Sequence, residues 1–149
     1  MPTVPKSEKS TTINREELLH HLESVQGGLS PREIVEQSSC YIFHGGQVAS
    51  YNDEVSCSCP SGLNKSFEGA VPAEKILAML NKLTEDELAL ETTESEMIFT
   101  GKRRKFGARL EKLEEGTASR IKGIEKPKVW TKLHEDFVDA VSLVRQCAS

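Results

Sequence analysis

Two stretches of the chain, 14–25 and 72–83, carry apolar residues at helical spacing, and each is flanked by short apolar runs of strand length. In the first, Leu18, Leu19, Leu22 and Val25 share one face. Asn14 is a good N-cap with Glu17 at capping-box spacing, and Gly27-Gly28 stops the helix. In the second, Ile76, Leu77, Met79, Leu80 and Leu83 make the stripe, and Pro72 suits the first helical position. Runs at 10–13, 39–43, 47–51 and 55–59 read as strands of the first half. Runs at 67–71, 88–90, 97–99 and 106–110 read as strands of the second. His44-Gly45-Gly46 marks a hairpin, because glycine adopts positive φ without steric penalty. Ile34 and Val35 start or precede a further strand. Each half therefore reads strand, helix, three strands: one plan used twice, with too few shared letters to be a sequence repeat.

After residue 111 the pattern changes. A polar stretch with Gly116, Gly123 and Pro127 reads as a linker over 113–132. From Leu133 the spacing turns helical again, with Phe137, Ala140, Val141 and Val144 on one side. No strand run follows, so 133–149 reads as the opening of a second unit. The first eight residues read as a frayed tail.

Charge is unevenly placed. The formal net charge of −4 argues against a protein that coats nucleic acid by bulk attraction. Locally, residues 85–96 carry only acids, whereas Lys102-Arg103-Arg104-Lys105 is purely basic. No apolar run approaches the roughly 20 residues of a membrane span, and the N-terminus lacks the apolar core of a secretory signal. A reducing, cytoplasmic setting is expected, with Cys40, Cys57, Cys59 and Cys147 as free thiols. Cys57-Ser58-Cys59 has one intervening residue rather than the two of most zinc sites, and both thiols face one side of a strand. No metal or other cofactor is expected. His44 and Cys40 are too few ligands for a metal, and neither Ser38-Ser39 nor Asp53-Glu54 has a histidine placed to complete an acid-base pair. An enzyme is not expected.

The segments GAVPAEKILAMLNKL (69–83) and EMIFTGKRRKFGARL (96–110), with the corner Tyr51-Asn52-Asp53-Glu54-Val55, resemble the bacterial-type DNA polymerase sliding clamp, especially divergent versions of phage type. Trp130 and residues 133–144 resemble the linker and first helix of a clamp's second domain. The resemblance spans roughly residues 9–148. It implies an α+β clamp fold over 9–112: duplicated strand-helix-three-strand units forming two antiparallel four-stranded sheets, with two helices on one face. Clamps of this family have three such domains per subunit, and two subunits ring the duplex. One domain and the start of another are present here, so a fragment of a longer protein is expected, or else a reduced clamp.

By resemblance, the protein is a processivity factor that encircles double-stranded DNA without reading sequence. It would tether the DNA polymerase, meet the clamp loader through domains missing here, and self-associate into a ring. In the family the helices line the hole, which makes Lys75, Lys82, Arg15 and His21 candidate DNA contacts, with Arg32 in the loop after the first helix. Glu16, Glu17 and Glu23 leave that helix net acidic. Lys102 and Arg103 read either as phosphate contacts or as a solvated turn protecting a sheet edge. Phe106 and Ala108 lie on an expected edge strand, where they serve either a subunit interface or core packing. A protein-interaction module that retains the fold without encircling DNA is the other reading.

Overall fold

The computed structural model describes residues 10–121 and 128–148; the expected tail over 1–8 and residues 122–127 of the expected linker lie outside the described residues. Strand β1 (Thr11–Asn14), helix α1 (Arg15–Ser24) and strands β2 (Cys40–His44), β3 (Gln47–Tyr51) and β4 (Ser56–Pro60) form the first half. Strand β5 (Gly69–Pro72), helix α2 (Ala73–Lys82) and strands β6 (Glu87–Thr92), β7 (Glu96–Thr100) and β8 (Lys105–Arg109) repeat the order.

Local chemistry sets these boundaries. The Asn14 side chain accepts a hydrogen bond from the Glu17 N–H at 2.9 Å, satisfying one of the free donors of the first turn of α1. Gly45 and Gly46 have φ of +59° and +82°, as a two-residue primed hairpin turn requires. Pro72 stands one place earlier than its sequence context predicts: it ends β5 and precedes the helix as its N-cap. Ile34 and Val35 lie in an irregular loop rather than in a strand.

The strands form two antiparallel sheets, ordered β1-β6-β7-β8 and β4-β3-β2-β5. Each half therefore contributes its first strand to the sheet of the other half: β1 pairs with β6, and β5 with β2. The halves are interlocked, not merely stacked. Leu18 and Leu22 of α1 and Ile76 and Leu80 of α2 pack with Tyr41, Phe43, Leu88 and Phe99 into one core. Gly28, just past α1, is buried where a Cβ would sit 2.7 Å from the Ser50 carbonyl oxygen.

A second cluster lies on the other face of β2 and β3, where Cys40, Ile42, Ala49 and Tyr51 meet Ala70 and Ile121. Ile121 belongs to helix α3 (Thr117–Ile121), inside the stretch read from sequence as a linker. Thr117 and Ile121 are buried, so this part of the stretch packs on the domain. Gln37 fastens it: its amide donates to the Lys112 carbonyl (2.8 Å), and its oxygen accepts from Glu114 N–H (3.2 Å) and the Thr117 hydroxyl (2.9 Å). The signal was present in Cys40-Tyr41-Ile42-Phe43, a continuous apolar run that fits burial on both faces.

Helix α4 (Phe137–Arg145) is the segment expected from the spacing after Leu133, and all its residues are exposed. No helix of the described residues is long and apolar enough to cross a membrane.

Candidate nucleic-acid interface

Helix α2 turns Ala73, Ile76 and Leu80 inward, which leaves Lys75 and Lys82 on its solvent side, seven residues apart. Lys82 does not stand alone. It lines a cavity of about 300 Å³ with Thr84, Glu85, Arg103 and Arg104, between the end of α2 and the β7–β8 turn. The two elements meet because β6 leaves α2 after four residues and pairs with β7, bringing the basic turn beside the helix end. Lys82, Arg103 and Arg104 form no ion pair among the described residues. Lys102 is exposed in the same turn.

One acid stands among these cations. The Glu85 carboxylate accepts from the Thr84 N–H at 3.2 Å. It lies over Gly101, where a Cβ would come within 2.9 Å of an oxygen. A hydrogen bond from its own backbone N–H holds Glu85 below the ordinary carboxylate range. Burial opposes this, while the Thr84 and Lys102 N–H groups and the Arg104 charge reinforce it. Arg104 and Glu85 are the members of this cluster that sequence reasoning did not single out. Their cue was a basic run and an acid three residues after Lys82, which only the sheet pairing brings together.

Arg15 has a different place from the one its position suggests. Its Nε donates to the Glu85 carbonyl at 3.1 Å and its Nη1 to the Leu80 carbonyl at 3.4 Å, and its side chain is 14% exposed. It joins the start of α1 to the end of α2. The half-buried His21 ring lies beside Gly62, and its backbone carbonyl accepts from Cys59 Sγ at 3.5 Å. Its Nδ1 is buried without a hydrogen-bond partner among the described residues. Arg32 is exposed in the loop ahead of β2 and forms no ion pair among the described residues. The outward side of α1 presents Glu16, Glu17, His20 and Glu23.

Cys57 and Cys59 are half-buried against the main core, both toward α1 as their spacing predicts. Among the described residues no group of three or more potential metal ligands occurs. His44 pairs with Glu68 at 3.0 Å.

Strand β8 is a sheet edge, as expected, but Phe106 and Ala108 do not face outward: Ala108 is buried and Phe106 packs on the core. The ladder explains why. Gly101 N–H bonds to the Arg104 carbonyl and Leu110 N–H to the Ser95 carbonyl, so even-numbered residues bond inward to β7. The backbone groups of Lys105, Gly107 and Arg109 are left on the open edge. The edges of β4 and β5 carry Pro60 and Pro72 at such outward positions, where a missing N–H discourages pairing. Strand β8 has no proline.

No protein-family model matches the sequence, and no curated protein matches it. Solved structures do match in fold. The DNA polymerase III subunit beta from Pseudomonas aeruginosa is 23% identical over 83% of this chain and 33% of its own, with a TM-score of 0.55. The DNA polymerase III beta subunit from Thermotoga maritima is 16% identical over 71% of this chain and 31% of its own, at 0.60. The beta subunit from the DNA polymerase of Streptococcus pyogenes is 14% identical over 84% of this chain and 35% of its own, also at 0.60. The chain thus has the sliding-clamp fold, and it spans about a third of the length of the structures it matches.

Proposed function

We propose that the chain is one domain's worth of a DNA sliding clamp, a processivity factor that holds double-stranded DNA without reading its sequence and tethers a polymerase. The observation that carries this reading is the cavity at the end of α2, where Lys82, Arg103 and Arg104 gather without ion-pair partners on a clamp fold. Loose phosphate attraction is the chemistry such a device requires, because contacts to phosphate position a protein without fixing it to a base sequence. Lys75, Lys102 and Arg32 extend the cationic surface in this reading; Arg15 does not, since it bonds backbone carbonyls, and His21 is half-buried with its Nδ1 enclosed. The open edge of β8 is the seam for a neighbouring strand through the backbone of Lys105, Gly107 and Arg109, with Phe106 and Ala108 bracing it from the core. Ring closure, the loader and the polymerase would then involve chain beyond this domain, and the unpartnered α4 would begin a second one.

The test is topological. With the protein joined to the further domains that close its ring, retention on nicked circular duplex and loss when the circle is cut support encirclement; equal retention on both refutes it. Light scattering on the eluting protein gives the assembly state in the same experiment.

The acidic outward side of α1 favours a second reading, a protein-interaction module that keeps the fold. Its distinguishing result is an absence of duplex binding at low salt with the fold intact.

A further inference from the structure

The cavity at the end of α2 already holds an anion supplied by the chain itself. The Glu85 carboxylate sits over Gly101 and accepts from the Thr84 N–H at 3.2 Å. That donor is a backbone group, and Lys82, Arg103 and Arg104 line the same cavity. This set of donors fits a phosphate group at least as well as a carboxylate, since phosphate offers more oxygens and more charge. We propose that the cavity is a phosphate-binding site whose resident Glu85 carboxylate acts as a built-in competitor, leaving its place when a phosphate oxygen enters. The proposal rests on the duplex-binding reading only for the source of that phosphate.

Two physical points decide whether such a site can work. The end of α2 is the negative end of its dipole, which opposes any anion there. Arg15 offsets this by bonding the Leu80 and Glu85 carbonyl oxygens from behind, which also fixes the backbone from which the Glu85 side chain swings. Glu85 is half-buried at the surface and belongs to neither core cluster, so release of its carboxylate requires no change in the core. A permanent counter-charge of this kind weakens phosphate contact without abolishing it, which suits a protein that must slide.

The probes are inorganic phosphate and a blunt duplex, applied to the full chain and to Glu85→Gln and Glu85→Asp. In Glu85→Gln, the Thr84 and Lys102 amide signals shift with phosphate at about fivefold lower concentration than in the parent, the effect of removing one exposed negative charge about 4 Å away. Duplex affinity rises by a similar factor. Glu85→Asp keeps the charge and stays near the parent. Identical phosphate titrations of Glu85→Gln and the parent overturn the proposal, as does a Glu85→Asp response equal to that of Glu85→Gln. A phosphate response in Glu85→Gln with no duplex binding by any of the three proteins supports the site and overturns the DNA reading instead.

Discussion

Neutralising Lys82 and Arg103 together tests the role of the α2 cavity in DNA binding. The two side chains enter it from different halves of one surface, Lys82 from the helix and Arg103 from the β7–β8 turn, with Arg104 beside them. If all three offset phosphates, they contribute about −2.7 to the slope of log affinity against log salt, at about 0.9 per phosphate. That slope corresponds to about a 40-fold loss between about 50 and about 200 mM salt; with only Arg104 left, the same change in salt costs about 3.5-fold. Contacts elsewhere, such as Lys75 or Arg32, add equally to both proteins, so the observable is the difference in slope, about 1.8. Fluorescence anisotropy with a labelled duplex, repeated across the salt range, measures it for the parent and for the Lys82→Gln, Arg103→Gln double variant. Both positions are exposed, so the fold should persist, which circular dichroism checks. Equal slopes in the two proteins would refute the assignment of this cavity to phosphate, whatever happens to the affinity at one salt concentration.

Other outcomes follow from the packing. Arg15→Ala should lower unfolding stability by about 2 kcal/mol, because it removes donors from two backbone carbonyls, while leaving the salt slope of duplex binding unchanged; a slope change without a stability change would return Arg15 to the DNA surface. Ending the chain at residue 132 should leave the urea midpoint nearly unchanged, since every described residue from 133 to 148 is exposed. Ending it at 112 should destabilise by about 2–4 kcal/mol through loss of Thr117, Ile121 and the bonds to Gln37. Equal midpoints for the two truncations would contradict the packing of α3. Burial, and secondarily the charge of Glu23, pushes the Tyr41 phenol up to about 12 from 10. The folded state thus keeps a proton that the unfolded state releases, so the stability linked to Tyr41 is complete below about pH 10 and is lost as pH rises through about 12. Tyr41→Phe should therefore gain on the parent by about 1 kcal/mol per pH unit across that window in urea titrations, and parallel profiles would rule this out.

Much of the architecture is legible in short windows of sequence. Asn14 with Glu17, Gly45-Gly46, and the stripes of Leu18 to Val25 and Ile76 to Leu83 each act within a turn or two of chain, so their spacing alone places two helices and a hairpin. The duplicated plan is visible for the same reason. The candidate site was half visible: Lys82 and the basic run stood out as charges, but nothing in their spacing says that they line one cavity around Glu85. Phe106 and Ala108 were correctly set on an edge strand, yet which side they faced depended on the bonding register with β7.

What the sequence by itself determined is the set of local elements, because periodicity, capping and turn chemistry are decided by neighbours in the chain. Tertiary structure decided the rest. It exchanged β1 and β5 between the halves, laid Thr117–Ile121 over the outer face of β2 and β3, turned Arg15 from a surface charge into a brace for α2, and drew Lys82, Arg103 and Arg104 into one cavity with Glu85. The physical reason is the same in each case. These contacts join residues tens of positions apart, and burial together with backbone pairing across the whole domain chooses among partners that local pattern leaves equivalent.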